Sequence, residues 1–402
     1  MSVNTEVIII GAGPAGLTAA RNLAEADIEY MLIDRSEKPG ETKPCGGFIP
    51  STTLERFSVP YVEGHQKIDI ARMKFPGKEL VSIRFNEPVG VNVSRGALGK
   101  TLYGEIRGIN THSLLGSSVE RVETDTKSCR VIVMKNDNET ILESKLIIDA
   151  SGANPVSQRF IPVRKRIPNS QMGYGLQYHI KVEGDLDSSN TFLYGNKFSP
   201  GGYCWIFPRG NIAVVGTGGL VTRVRENERR THEYLDNLLK EVEPFRSELA
   251  GGTIVKKDSA LMPLCGVMRP SFGKRILLAG DAAGHCSPIS GEGIHYSMVG
   301  GKCAAMTAVE CIQRDNFSDD ALSNYEKRWT KQIGSDLKWG LWLQRKLMRP
   351  GSGNTSGWSN SGFIDSEKSQ KIIAEMLMGK RSVRSAILAV APSYLKSKVI
   401  KR

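Results

Sequence analysis

The hydrophobic pattern changes rhythm three times along the chain. At the start, EVIII (6–10) is an unbroken β-branched run that predicts a buried strand, and GAGPAG (11–16) predicts a tight turn. LTAARNLAEADI (17–28) continues as a helix, and EYMLID (29–34) reads as a second strand ending on an acid. ESKLIIDASGANPVSQR (143–159) carries another apolar strand into Asp149 and a Gly/Asn/Pro turn, as if a third parallel strand returned beside the first two. KRILLAGDAAGHCSPISGEGIHYSMVGGKCAA (274–305) repeats the design, with a strand at Ile276–Ala279, then Gly280–Asp281, a loop of small residues and a helix starting near Gly293.

Between these parts polar and apolar residues alternate, with turn signals: MKFPGKELVSIRF (73–85), QMGYGLQYHIKVEG (171–184), NTFLYGNKF (190–198) and GYCWIFPRGNIAVVGTGG (202–219). Such runs predict antiparallel strands with one buried face. After about residue 316 the pattern is helical, broken by the loop GSGNTSGWSNSG (351–362), and no internal repeat is present. The expected fold is α/β. A Rossmann-like dinucleotide-binding domain (1–62, 92–165 and 266–315) is interrupted by an antiparallel-sheet substrate domain (63–91 and 166–265), and a basic helical C-terminal region (316–402) follows.

Composition narrows the class. With 402 residues, 40% apolar and 24% charged, the chain is an ordinary globular protein long enough for two or three domains. MSVNTEVIII lacks a basic n-region, and no run reaches membrane-spanning length, so neither a signal peptide nor a span is expected. Seven scattered cysteines without C-x-x-C, and six histidines without H-E-x-x-H, predict reduced thiols in a cytoplasmic setting and no metal site. The formal charge of +12 is uneven: residues 331–402 hold 14 Lys and Arg against 4 acids, a net +10. Apolar patches interleave this tail, at LKWGLWLQRKLM (337–348) and SVRSAILAV (382–390). They fit amphipathic helices on a membrane surface better than a nucleic-acid arm, and a plain solvated face is the alternative.

G-x-G-x-x-G gains meaning from its setting of strand, turn, helix, strand and terminal acid. Gly11 permits the turn, Gly13 admits a pyrophosphate to the backbone, Gly16 allows close helix packing, and Asp34 is placed for adenosine ribose hydroxyls. A second nucleotide-facing strand about 265 residues later favours flavin over nicotinamide, because an extended FAD needs a second helix N-terminus near the isoalloxazine O2. Tyr203, Trp205 and Phe207 alternate along one strand and so share a face, with Cys204 and Ile206 on the other and Pro208 expected to end the pairing. Those rings can be core packing or a binding wall.

Together, GAGPAG, PCGG (44–47), DASG (149–152), the YxWxFP stretch (203–208) and GDAAG followed by SGEGI (280–294) resemble the geranylgeranyl reductase family, within the flavoproteins typified by p-hydroxybenzoate hydroxylase. The resemblance covers about residues 5–330; PCGG and YxWxFP are its discriminating motifs, since the glycine and GD motifs occur throughout the fold. It implies an FAD-dependent reductase that saturates isolated double bonds of geranylgeranyl chains, on archaeal ether lipids or on a chlorophyll precursor or diphosphate. It further implies that Ala15, Asp34, Arg95 and Val119 hold the adenosine and pyrophosphate. Cys45, Gly46 and Phe48 would lie beside the flavin, with Asp281, Gly293 and Ile294 around its ribityl chain and ring. Tyr203, Trp205, Phe207 and Pro208 would line the substrate tunnel.

Departures bear on the substrate more than on the cofactor. The ribose acid is often Glu in the family and is Asp34 here, an acid usual after the Arg is replaced near Gly99, and CGGFIP with Phe48 is closer to the chlorophyll branch. The archaeal lipid is the preferred substrate. Reduced FAD would deliver hydride, and an unactivated alkene needs a matching proton, for which the Cys45 thiol is the first candidate general acid. The plain alternative is that a small residue is wanted where backbone nears the cofactor. His285 and His295 read as structural. The external electron donor, ferredoxin or NAD(P)H, is undecided, and a monooxygenase, a halogenase and a non-catalytic lipid-binding flavoprotein are the competing classes.

Overall fold

The computed structural model describes residues 2–106, 111–225, 230–347 and 366–399; the loop expected at 351–362 lies outside them. Its centre is a six-stranded sheet in the order Phe272–Gly273, Ile276–Leu278, Leu146–Asp149, Val7–Ile10, Tyr30–Asp34 and Thr111–Leu115. All neighbours pair parallel except the short Phe272–Gly273 edge. Strands covered on both faces read as continuous apolar runs, and Val7–Ile10 and Leu146–Asp149 are buried at every position. Helices Pro14–Glu25 and Ile294–Gln313 cross closely on this sheet, where a Cβ at Gly301 would lie 2.0 Å from the Ala15 carbonyl oxygen. A four-stranded sheet (Ser2–Asn4, Asn138–Ser144, Cys129–Lys135, Ser118–Thr124) adjoins it.

The alternating region forms a seven-stranded sheet in the order Thr253–Pro263, Met172–Lys181, Ile212–Leu220, Gly202–Arg209, Ser189–Tyr194, Ile70–Lys74 and Val81–Arg84. A small sheet of Phe48–Pro50, Gly90–Asn92 and Gln66–Ile68 lies between the two main sheets in sequence. On one face of the large sheet Cys204, Ile206, Val215 and Tyr178 bury Leu235 and Leu238 of the amphipathic helix Thr231–Glu241. On the other, Phe192, Tyr194 and Phe207 cluster with Ile373, Ala374 and Leu377 of helix Glu367–Leu377. The C-terminal region is thus partly a cover for the aromatic face.

Pro208 does not end its strand. Pairing continues through Pro208↔Ala213 to Arg209↔Ile212, while the ladder to Ser189–Tyr194 extends only as far as Ile206. Pro208 therefore sits where the strand has a single ladder neighbour, a position that tolerates the missing N–H. Helices Asp319–Trp329 and Ser335–Leu347 are joined by one π-turn at Thr330–Gly334. Trp329 donates from Nε1 to Ser271 Oγ at 2.9 Å, tying this region back to the nucleotide sheet.

Candidate active site

The glycine turn has the shape its spacing requires. Gly11 has φ +107°, and a Cβ there would lie 2.5 Å from the Ala150 carbonyl oxygen; one on Gly16 would lie 1.8 Å from the Gly11 oxygen. Gly13 is different, for a Cβ on it would meet nothing within 4 Å. It is also the N-cap of Pro14–Glu25, whose first turn receives no side-chain cap. Asp34 accepts from the backbone N–H of Ala12 at 2.6 Å and of Ser36 at 2.7 Å, fixing the turn against the second strand and leaving lone pairs on both oxygens. Ala15 is buried in the crossing between the two helices.

Arg95 opens helix Arg95–Gly104, capped by Ser94, and its Nε is enclosed with no hydrogen-bond partner among the described residues. At Gly99 the backbone of Pro39 comes close: a Cβ there would lie 2.0 Å from the Pro39 oxygen. Val119 is half-buried in the four-stranded sheet opposite Val133. An orphaned buried guanidinium nitrogen on Arg95–Gly104, a helix that packs on Pro14–Glu25, together with an open glycine and an uncapped N-terminus on the latter, fits the anionic half of a dinucleotide.

The second half of the site gathers distant residues. Lys43 Nζ lies 3.3 Å from Asp281 Oδ2, and Gly293 is the N-cap of Ile294–Gln313, with Ile294 buried just inside. Cys45 is half-buried, and its carbonyl accepts from Gln177 Nε2 at 3.4 Å. Gly46 meets the aromatic wall directly, because a Cβ on it would lie 2.5 Å from the Phe207 ring. Phe48 is buried in that same aromatic cluster. His285 is fully buried, and burial pushes its imidazole down to about 3; burial also pushes His295 down to about 4. Both are neutral at physiological pH.

Tyr203, Trp205 and Phe207 share one face as their alternation requires. Phe192 bridges them, its centroid 5.3 Å from that of Phe207 in an edge-on contact and 5.8 Å from that of Tyr203. The Tyr203 hydroxyl donates to the Ser290 carbonyl, joining this wall to the loop before Gly293, and burial holds the phenol well above its usual range. The Trp205 ring spreads over a floor without side chains: a Cβ on Gly216 would lie 2.1 Å from it, and ones on Gly175 and Gly218 at 3.5 Å. Its Nε1 is enclosed and unpartnered among the described residues. Pro208 is buried, and its carbonyl accepts from Asn92 Nδ2 at 2.9 Å.

Several groups escape sequence reasoning. Gln177, Lys43 and helix Glu367–Leu377 have no motif to mark them. The glycines under Trp205 had a signal, since glycine inside a strand often marks a close approach. Glu292 lies within SGEGI, and its carboxylate accepts from the His295 N–H at 2.7 Å. Burial raises this carboxyl from 4.5 to about 7, so the native state binds its proton more tightly than the unfolded chain. That stabilisation is complete below about pH 4.5 and is lost as pH rises through about 7. Glu292→Gln, which keeps an acceptor for the His295 N–H, is expected to exceed the parent by on the order of 1–3 kcal/mol near pH 8 and to match it near pH 4.5. Urea midpoints at the two pH values check this, and a gap independent of pH contradicts it.

The fold and the residues gathered at the site define an FAD-dependent oxidoreductase of the Rossmann-like flavoprotein class. A family model described as pyridine nucleotide-disulphide oxidoreductase matches residues 5–220. Similar curated proteins include the digeranylgeranylglycerophospholipid reductase of Methanocaldococcus jannaschii, 28% identical over 347 residues, covering 85% of this chain and 87% of the relative. The geranylgeranyl diphosphate reductase of Rhodobacter capsulatus is 30% identical over 324 residues, covering 78% and 77%. A crystal structure of a geranylgeranyl bacteriochlorophyll reductase-like protein from Thermoplasma acidophilum superposes with TM-score 0.86 at 22% identity, covering 99% and 98%. The chain belongs to the geranylgeranyl reductase family.

Proposed function

We propose that this enzyme saturates isolated C=C bonds of geranylgeranyl chains carried on archaeal-type ether lipids, using hydride from reduced FAD and a proton. The contact between Gly46 and Phe207 carries this reading: it sets an aromatic wall against the PCGG loop, the loop assigned to the flavin. Burying aromatic side chains of ~150–250 Å² each against a prenyl chain contributes several kcal/mol at ~25 cal/mol per Å², partly offset by ordering that chain. Names of relatives from methanogens support the lipid substrate, and the Rhodobacter relative makes geranylgeranyl diphosphate the second reading.

Bound FAD supplies the hydride. The protein's part is to hold and orient. Gly11, Gly13, Ala15, Gly16, Asp34, Arg95 and Val119 are assigned to the adenosine and pyrophosphate, and Cys45, Gly46, Phe48, Asp281, Gly293 and Ile294 to the flavin. Tyr203, Trp205, Phe207 and Pro208 are assigned to the prenyl chain, excluding water from it. Gln177 pins the Cys45 peptide by its carbonyl, so the thiol stands at a fixed place in the loop, where we assign it as proton donor. Chemically reduced enzyme given digeranylgeranylglycerophospholipid should return lipid heavier by two hydrogens per bond. Hydroxylated or unchanged lipid would remove the assignment.

No helix among the described residues is long and apolar enough to cross a membrane. We infer cytoplasmic enzyme that reaches its lipid by lying on the membrane surface. Trp342 is 44% exposed, edge-on to Trp339 at 5.7 Å with Lys346 above it, and Leu388 is 55% exposed, all in the basic tail. Flotation with vesicles rich in anionic lipid is expected to capture the protein at low salt and release it at high salt. Trp342→Ser with Leu388→Ser should weaken capture by roughly tenfold; capture equal on neutral vesicles would refute the electrostatic part.

A further inference from the structure

The aromatic wall ends in a cation. Residues alternate along Gly202–Arg209, so Arg209 follows Tyr203, Trp205 and Phe207 on the same face, ~7 Å beyond the last ring and ~20 Å from the first at 3.3–3.4 Å per residue. On the same sheet, two and three strands away across Ile212–Leu220, stand His179 and Asp258. Arg209 Nη2 lies 3.0 Å from His179 Nδ1. Because a guanidinium only donates, Nδ1 accepts and the imidazole proton is on Nε2, which lies 3.3 Å from Asp258 Oδ2. The same Asp258 oxygen is 2.9 Å from Lys256 Nζ. Gln177 spans from the Cys45 carbonyl to a point 3.3 Å from His179 Nε2, linking this group to the PCGG loop.

The charges in this arrangement do not close. Asp258 is held by His179 and Lys256, so the direct hydrogen-bond partner of the half-buried Arg209 is a neutral ring, and its enclosed Nε has no hydrogen-bond partner among the described residues. A desolvated guanidinium that must share the Asp258 carboxylate with Lys256 is only partly balanced, and its planar fork matches phosphate oxygens. We propose that Arg209, oriented by His179 and Asp258, binds the phosphate group of the prenyl substrate at the end of the wall formed by Tyr203, Trp205 and Phe207. This rests on the prenyl-reductase reading and deepens it: the site selects an anionic prenyl phosphate or phospholipid over the corresponding neutral alcohol.

The test uses the FAD-loaded full chain with geranylgeranyl monophosphate and geranylgeraniol as paired substrates, and inorganic phosphate as a competitor. The parent should bind the phosphate roughly 10- to 100-fold more tightly than the alcohol, the effect of a charge-assisted hydrogen-bonded pair. Arg209→Gln should erase that preference through KM, with the alcohol's KM and the kcat for both little changed, and Arg209→Lys should restore part of it. A merely structural arginine would lower turnover on both substrates alike, and that result overturns the proposal. Inorganic phosphate that binds as tightly as the prenyl phosphate would also overturn it, by marking a free-anion site. If Arg209→Gln fails to hold FAD, the parent decides alone: equal affinity for phosphate and alcohol sinks the assignment. A parent that reduces neither substrate, nor the phospholipid, removes the prenyl-reductase reading itself.

Discussion

Gly16→Ala is expected to yield a protein that has lost FAD affinity at least roughly 100-fold and is itself destabilised by about 1–3 kcal/mol. The added Cβ would lie 1.8 Å from the Gly11 oxygen and 3.0 Å from its carbon, both backbone atoms of the turn. Gly11 cannot yield, since it is packed against the Ala150 carbonyl and held at positive φ, and its N–H donates to the Ile33 oxygen at 2.7 Å. The helix must move off the strand, taking its N-terminal N–H groups away from the pyrophosphate. Gly13→Ala separates the two effects, because its Cβ meets no protein atom within 4 Å. That variant should unfold at the parental urea concentration yet bind FAD weakly. Flavin content on purification and reconstitution with added FAD measure both; Gly13→Ala with full affinity would displace the cofactor from this turn.

Gly46→Ala is expected to keep FAD and lose roughly 100-fold in turnover. Its Cβ would lie 2.5 Å from Cδ2 and 2.8 Å from Cε2 of Phe207, a ring locked between Phe192 and the C-terminal helix. Loop and wall must part by about an ångström, and a misplacement of that size is enough to cost two orders of magnitude in a reaction that depends on alignment. Phe207→Leu should cost less alone, through a lost ring. In the double variant it should recover much of the Gly46→Ala loss, because the smaller side chain makes room. Single-turnover reoxidation of the reduced enzyme by lipid reads this coupling; additive losses would mean that the loop and the wall do not meet in the working enzyme.

Local features made much of this architecture legible. The strand–turn–helix of residues 6–28 is written in consecutive residues, each with its own steric reason, and the alternation through 202–219 placed Tyr203, Trp205 and Phe207 on one face. What escaped depends on residues far apart in sequence. His179, Arg209 and Asp258 come together only because their three strands belong to one sheet with a particular register. Nothing in EKSQKIIAEML says that this helix caps the aromatic face, although Ile373 and Leu377 are spaced for it. Pro208 departs from the expected strand end because its effect depends on whether a neighbouring strand is present on that side, which one strand's sequence does not state. Glu292 was in view within SGEGI, but its raised carboxyl follows from burial alone.

The most direct measurement is an anaerobic single turnover. Enzyme whose FAD has been photoreduced is mixed with digeranylgeranylglycerophospholipid, the flavin spectrum is followed, and the lipid is weighed by mass spectrometry. Return of the oxidised spectrum with the gain of two hydrogens per flavin is the predicted result. A flavin that stays reduced until oxygen is admitted, and a lipid that then gains an oxygen atom or nothing, would contradict it.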